Sequence, residues 1–139
     1  MNSALRLKRA GLLVRLRTIE HRAAAAQLYA GLQREARAAA LADRTAALVR
    51  SYDGCPRAAT AGELTAGTAM TWRTRAIHAE AELARAQAGA ALETCRAQEH
   101  AARHRRDKAE DYRATLRRAL HAPRAEPVAG RTRRISPDS

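Results

Sequence analysis

The stretch "RSYDGCPRAATAGE", residues 50–63, sets Tyr52, Asp53 and Cys55 side by side around Gly54 and Pro56. A cysteine nucleophile works as its thiolate and needs a base and an orienting group held in a water-excluded pocket. A bend between two helices offers no such pocket, so the stretch reads as an exposed turn. His100 and His104 stand four apart, as a metal-binding pair on one helix face would. A catalytic zinc needs a third protein ligand, and "EHAARHRRDKAED" has neither the HExxH order nor a nearby cysteine pair, which favours solvated histidines. Cys95 lies about 50 Å beyond the turn along a helix rising 1.5 Å per residue, far outside disulfide reach of Cys55. It reads as a small apolar seam residue. No glycine-rich phosphate loop occurs. The expectation is a non-enzyme with no catalytic residue, no cofactor and no metal.

The elements that carry these residues follow from composition. Leu, Val and Ile supply only 20 of 139 residues, Phe is absent, and the net charge is +12. That balance excludes a thick globular core. Alanine, roughly a quarter of the chain, loses no side-chain entropy on entering a helix. Long helices with a thin seam between them satisfy both constraints, and the length allows one domain. The amino-terminal "MNSALRLKRAGLLVRLR" is basic and then apolar, but Arg15 and Arg17 break the apolar run and no cleavage site follows, so it does not read as a signal peptide. No segment reaches the roughly 18 to 20 apolar residues of a membrane span. The chain is expected in the cytoplasm, with no membrane insertion.

Periodicity points to an all-α, long antiparallel two-helix coiled-coil hairpin. The expected organisation is a hairpin over 1–121, with helix 1 over about 3–50, a turn over 51–60 and helix 2 over about 61–120, then a disordered basic tail over 122–139. In the second half Ile77, Ala81, Ala84, Ala88, Ala91, Cys95, Gln98, Ala102, Arg105, Ala109, Tyr112, Leu116 and Ala119 step by four and three, the 3.5-residue repeat of a coiled coil. In the first half Leu5, Leu12, Leu16, Ile19, Ala23, Ala26 and Ala30 give a looser line. Beyond Gly31, Leu28, Leu32, Leu41 and Leu48 lie on a neighbouring one, which suggests a change of supercoil. Gly54 and Pro56 stop the first helix, and Thr60 with Glu63 fits a capping box for the second. Glu82 to Arg85, Glu99 to Arg103 and Glu110 to Arg113 have the spacing of helix ion pairs. The same heptads serve a closed hairpin or a dimer in trans.

Two surfaces stand out as contact sites. Tyr52, Met70 and Trp72 cluster at the turn end, where they either cap the hairpin tip or anchor a partner. The run "RHRRDKAEDYRATLRR", Arg103 to Arg118, is basic but interrupted by Asp107, Glu110 and Asp111, and reads first as a solvated face. Salt-sensitive binding to nucleic acid is the rival reading, and a generic coiled-coil scaffold is a third.

The leucine- and arginine-rich "LRLKRAGLLVRLRTIEHRAAAAQLYAGLQRE" and the returning "GTAMTWRTRAIHAEAELARAQAGAALETCRAQEHAARHRRDKAEDYRATLRR" together resemble the flagellar and type III export stalk family, the FliJ/YscO proteins. The likeness covers Leu5 to Leu120 and consists of length, register and helix order. It implies a stalk that sits in the channel of the hexameric export ATPase, contacts the cytoplasmic ring of the export gate and helps to handle export chaperones. Under that resemblance the paired ends of the hairpin, with Leu5, Leu12, Leu16 and Ile19 near Tyr112 and Leu116, enter the ATPase ring.

Overall fold

Two helices account for nearly all of the described chain, which in this computed structural model comprises residues 2–53 and 60–123. Helix α1 spans Ser3–Asp53 and α2 spans Ala61–His121, so at 1.5 Å per residue they run about 75 and 90 Å. They pack against each other, antiparallel, with the start of α1 beside the end of α2. The fold is the expected all-α hairpin. Helix α1 continues through Asp53, three residues past its expected end. The expected turn residues Gly54, Cys55 and Pro56, and the expected tail from 124 onward, lie outside the described residues.

The ends of both helices have chemical causes. Asn2 begins α1 by accepting the Ala4 amide at 3.3 Å on its side chain and the Leu5 amide at 3.1 Å on its carbonyl. Thr60, in extended conformation, accepts the Glu63 amide at 3.2 Å, which is the expected N-cap of α2. The other end closes where the Ala122 amide donates to the Arg118 carbonyl at 2.8 Å and Ala122 turns extended ahead of Pro123. Arg118 and His121 in the last turn complement the negative end of the helix dipole.

The seam differs from the expected one in register. In α1 the positions Leu7, Ala10, Val14, Arg17, His21, Ala24, Leu28, Gly31, Glu35, Ala38, Ala42, Thr45 and Val49 are all buried or half-buried. They alternate by three and four without a break, so no drift or supercoil change occurs near Gly31. The expected line of Leu5, Leu12, Leu16, Ile19, Ala23, Ala26 and Ala30 is exposed throughout. In α2 the seam is Thr74, His78, Ala81, Arg85, Ala88, Leu92, Cys95, Glu99, Ala102, Arg106, Ala109, Arg113 and Leu116, with only Arg85 exposed. The expected line shares Ala81, Ala88, Cys95, Ala102, Ala109 and Leu116 with it. At the alternate positions it is one residue off, and Ala84, Ala91, Gln98, Arg105 and Tyr112 face solvent.

Small residues bring the helices together. Ala42 has no exposed surface, and Ala10, Ala81, Ala102 and Ala109 are nearly as covered. Gly31 is matched to Leu92, whose Cδ1 lies 3.6 Å from where a Gly31 Cβ would stand, with the Cys95 Sγ equally near. Leu92 is the single large apolar side chain buried among the described residues. Gly89 borders the seam with open space at its Cβ position, so nothing there rewards a glycine. Gly89→Ala is expected to raise stability by about 0.5–1 kcal/mol, the usual cost of glycine in a helix interior. Thermal unfolding followed by circular dichroism checks it, and a lower midpoint would count against the helix as described.

Candidate functional site

The second α2 line, His78, Arg85, Leu92, Glu99, Arg106 and Arg113, recurs every seven residues and is polar at five of six places. A polar group in a seam must find a partner there or lose more than it gains. Most of these do. At the centre of the open half, His21 of α1 meets Glu99 of α2, with side chains 16% and 10% exposed. The Nε2 proton of His21 is donated to Glu99 Oε1 at 2.9 Å. Arg106 Nη1 donates to His21 Nδ1 at 3.0 Å. Because arginine only donates, Nδ1 is the bare nitrogen and Nε2 carries the hydrogen.

Glu99 Oε1 also accepts from Arg103 Nε and Nη2, at 3.1 and 2.7 Å. The hydrogen bond from His21, then those from Arg103, hold the Glu99 carboxyl below its ordinary value of 4.5, against a smaller upward push from desolvation. Arg106 continues the chain outward to Asp107 at 3.0 Å and toward Glu110 at 3.8 Å. The cluster is a charge-assisted clamp between the helices with one preferred register. Its charged groups find partners within the cluster, and the geometry gives them structural work.

A second station lies toward the turn. Thr45, buried, donates to the Ala42 carbonyl at 2.9 Å and stands 3.0 Å from His78 Nδ1. Outside it, Arg85 reaches Asp43 at 3.7 Å and Arg75 reaches Asp53 at 2.8 Å. Of the expected helix pairs, Glu99 to Arg103 forms, at 2.7 Å. Glu110 instead approaches Arg106 and Glu82 approaches His78 at 3.9 Å, since Arg85 and Arg113 are turned to the seam.

The nominated contact residues fall at the two ends. At the open end Leu5, Leu12, Leu16 and Ile19 are 45 to 63% exposed, and Leu116 is half-buried in the seam. Tyr112 is exposed and lines a shallow groove with Arg6, Arg9, Ala10 and Leu13. Beside it runs a larger groove of about 470 Å³, lined by Leu7, Lys8, Gly11, Leu12, Arg15, Arg113 and others. Here Gly11 keeps α1 thin where the Arg113 side chain crosses, 3.8 Å from its Cβ position. The buried Nε of Arg113 has no hydrogen-bond partner. The sequence reading places Arg113 only in a helix pair with Glu110 and does not single out Gly11. Their signal was positional, an arginine seven residues past Arg106 on the seam line and a glycine inside a helix.

At the turn end residues 60–70 are exposed throughout, and α2 begins to bury side chains at Thr71 and Thr74. Tyr52, Met70 and Trp72 are all exposed, Trp72 to 68%. No group of three metal-ligating side chains is found among the described residues, and His100 and His104 are exposed. Among the described residues no helix is long and apolar enough to cross a membrane.

Set against known proteins, the chain matches no family model, no curated protein and no solved structure. Its function has to be read from the hairpin and from what the hairpin leaves uncovered.

Proposed function

We propose that this chain is a non-enzymatic stalk or adaptor of a flagellar or related type III export apparatus, docking in the export ATPase ring and contacting the cytoplasmic ring of the export gate. Export chaperones are further partners, and the place of work is the cytoplasm, peripheral to the inner membrane. One observation carries the interaction reading. Seventeen large apolar side chains are exposed among the described residues, whereas only Leu92 is buried. A hairpin built this way gains more apolar burial from a partner than from its own seam, at about 25 cal/mol per Å². The export form of the reading rests on the resemblance in length, register and helix order.

The test is a titration of the purified, nuclease-treated chain against the host's export ATPase at physiological salt, following stoichiometry and ATP turnover. One chain per hexamer with altered turnover supports the stalk. Binding recovered only on mixed-sequence nucleic acid, and lost steeply with salt, replaces it with the rival reading that the +12 charge favours. For the turn end, Trp72→Ala should weaken capture of the gate ring by about tenfold, the scale of an exposed aromatic anchor, with helicity unchanged. Equal affinity of variant and parent removes Trp72 from the contact.

A further inference from the structure

The line Leu5, Leu12, Leu16 and Ile19 continues through Ala23, Ala26 and Ala30 at alternating steps of mostly three and four. Helix α1 therefore carries two heptad stripes, one spent on α2 and one on its outer side. With Leu7 and Ala10 as the inward positions of the repeat, Leu5, Leu12 and Ile19 occupy the position farthest from the seam. A stripe this narrow is the pattern of a helix-pairing seam, whereas a membrane-surface helix presents a broader apolar face.

The flanks decide what kind of helix fits. One side of the stripe carries Lys8, Arg15 and Arg22, one per heptad, and none of them has an ion-pair partner among the described residues. Two of these, Lys8 and Arg15, also rim the groove at the open end, where Leu12 joins the stripe to the groove and Arg113 adds a third cation to the lining. No acidic residue lines that groove. Antiparallel pairing with a second copy would set the row of Lys8, Arg15 and Arg22 against itself, and the described apolar stripe would be covered at the cost of like-charge repulsion.

We infer that the outer face of α1 from Leu5 to Ile19, with the adjoining groove, docks an amphipathic helix of a partner protein whose apolar stripe is flanked by glutamates or aspartates. Its apolar side chains lie over Leu5, Leu12, Leu16 and Ile19, and its carboxylates meet Lys8 and Arg15. This is helix-in-groove recognition over about 21 Å, with anchors three, four and seven residues apart. The inference rests on the interaction-protein reading but not on its export form.

The test uses the full chain and two synthetic helices that share a leucine heptad stripe, one with glutamate flanks and one with lysine flanks. Binding is followed by fluorescence anisotropy at two salt concentrations, with backbone resonances locating the contact. The acidic helix is expected to bind, shifting resonances around Leu12 and Arg15, and the basic helix to bind at least tenfold more weakly. Leu12→Asp, at an exposed position that leaves helicity intact, is expected to weaken the acidic helix about tenfold or more. Arg15→Glu should weaken it about fivefold and flatten its salt dependence.

Equal binding of both helices, unchanged affinity in both variants, or self-association that buries the same resonances would each overturn the proposal. So would binding of anionic phosphatidylserine vesicles in preference to the acidic helix. If the acidic helix binds while the export ATPase does not, the export form alone fails. If both the acidic helix and the ATPase bind Leu12→Asp and Arg15→Glu as well as the parent, this docking face fails and the stalk reading stands.

Discussion

Leu92→Ala is expected to lower the unfolding free energy by about 2–5 kcal/mol, because the lost leucine leaves both transfer energy and a cavity behind. No other apolar side chain buried among the described residues is larger than alanine, so little of that kind is at hand to fill the space. For a seam made mainly of alanine this is a large part of the whole, since domains commonly hold only about 5–15 kcal/mol in total. Urea unfolding followed at 222 nm should show the midpoint shifted strongly, with partial loss of helicity before denaturant is added.

The pairing of Leu92 with Gly31 makes the prediction sharper. A β-carbon at Gly31 would meet Leu92 Cδ1 and Cys95 Sγ at 3.6 Å, ordinary contact, so Gly31→Ala fits. Gly31→Leu alone must push further carbons into volume that Leu92 occupies, at about 1–3 kcal/mol for overpacking. In the double variant Gly31→Leu with Leu92→Ala, the new leucine fills the hole from the opposite helix. The two changes should therefore be coupled favourably by about 1 kcal/mol or more in a double-mutant cycle. Strict additivity would mean that the two residues do not share one space.

Helix identity, order and most boundaries were legible because they rest on strong local chemistry. Alanine content, the Thr60 cap and Pro123 act within a few residues, and the structure places the helix ends where they point. Register was not legible from apolar residues alone. With alanine on every face, the counting had little contrast, and large apolar residues were assigned inward by default. The helix instead keeps small residues inside and leaves Leu5, Leu12, Leu16 and Ile19 out. What identified the true seam was polar: His21 and Glu35 fall seven-residue steps from Leu7 and Val14, and His78, Glu99, Arg106 and Arg113 fall such steps from Leu92. Charged residues at inward positions demand partners, and the antiparallel register sets His21 against Glu99 and Arg106. The same inversion explains the candidate site. Leu5, Leu12, Leu16, Ile19 and Tyr112, placed on the expected seam, are exposed, while Leu116 keeps its seam position.

Acid should open the hairpin at this polar clamp. Glu99 faces His21 from α1 and Arg103 on its own helix, with Arg106 on the far nitrogen of His21, and these contacts favour its charged form. Its folded value therefore lies below the unfolded 4.5, so the unfolded chain binds the proton more readily. The stabilisation is fully present above that unfolded value and is lost as pH falls through the folded one. The unfolding midpoint of the parent chain is expected to hold steady down to about pH 5 and to fall over roughly the next two units, as for other hydrogen-bonded carboxylates. Glu99→Gln should start from a lower midpoint at neutral pH and lose this acid limb, so that the two curves converge at low pH. Glu82→Gln, at an exposed glutamate 3.9 Å from His78, should retain the limb in full. Were Glu99→Gln to keep the parent's acid limb, the pH dependence would belong to other carboxylates and the clamp would not be what fixes the register. Its position matters for the outer face as well. The clamp joins His21 to α2 just beyond Ile19, and its release would free the very part of α1 that carries the Leu5 to Ile19 stripe from its backing helix. Partner affinity at that stripe should then fall with the same acid limb, and Glu99→Gln should lower it at neutral pH without touching the docking face itself.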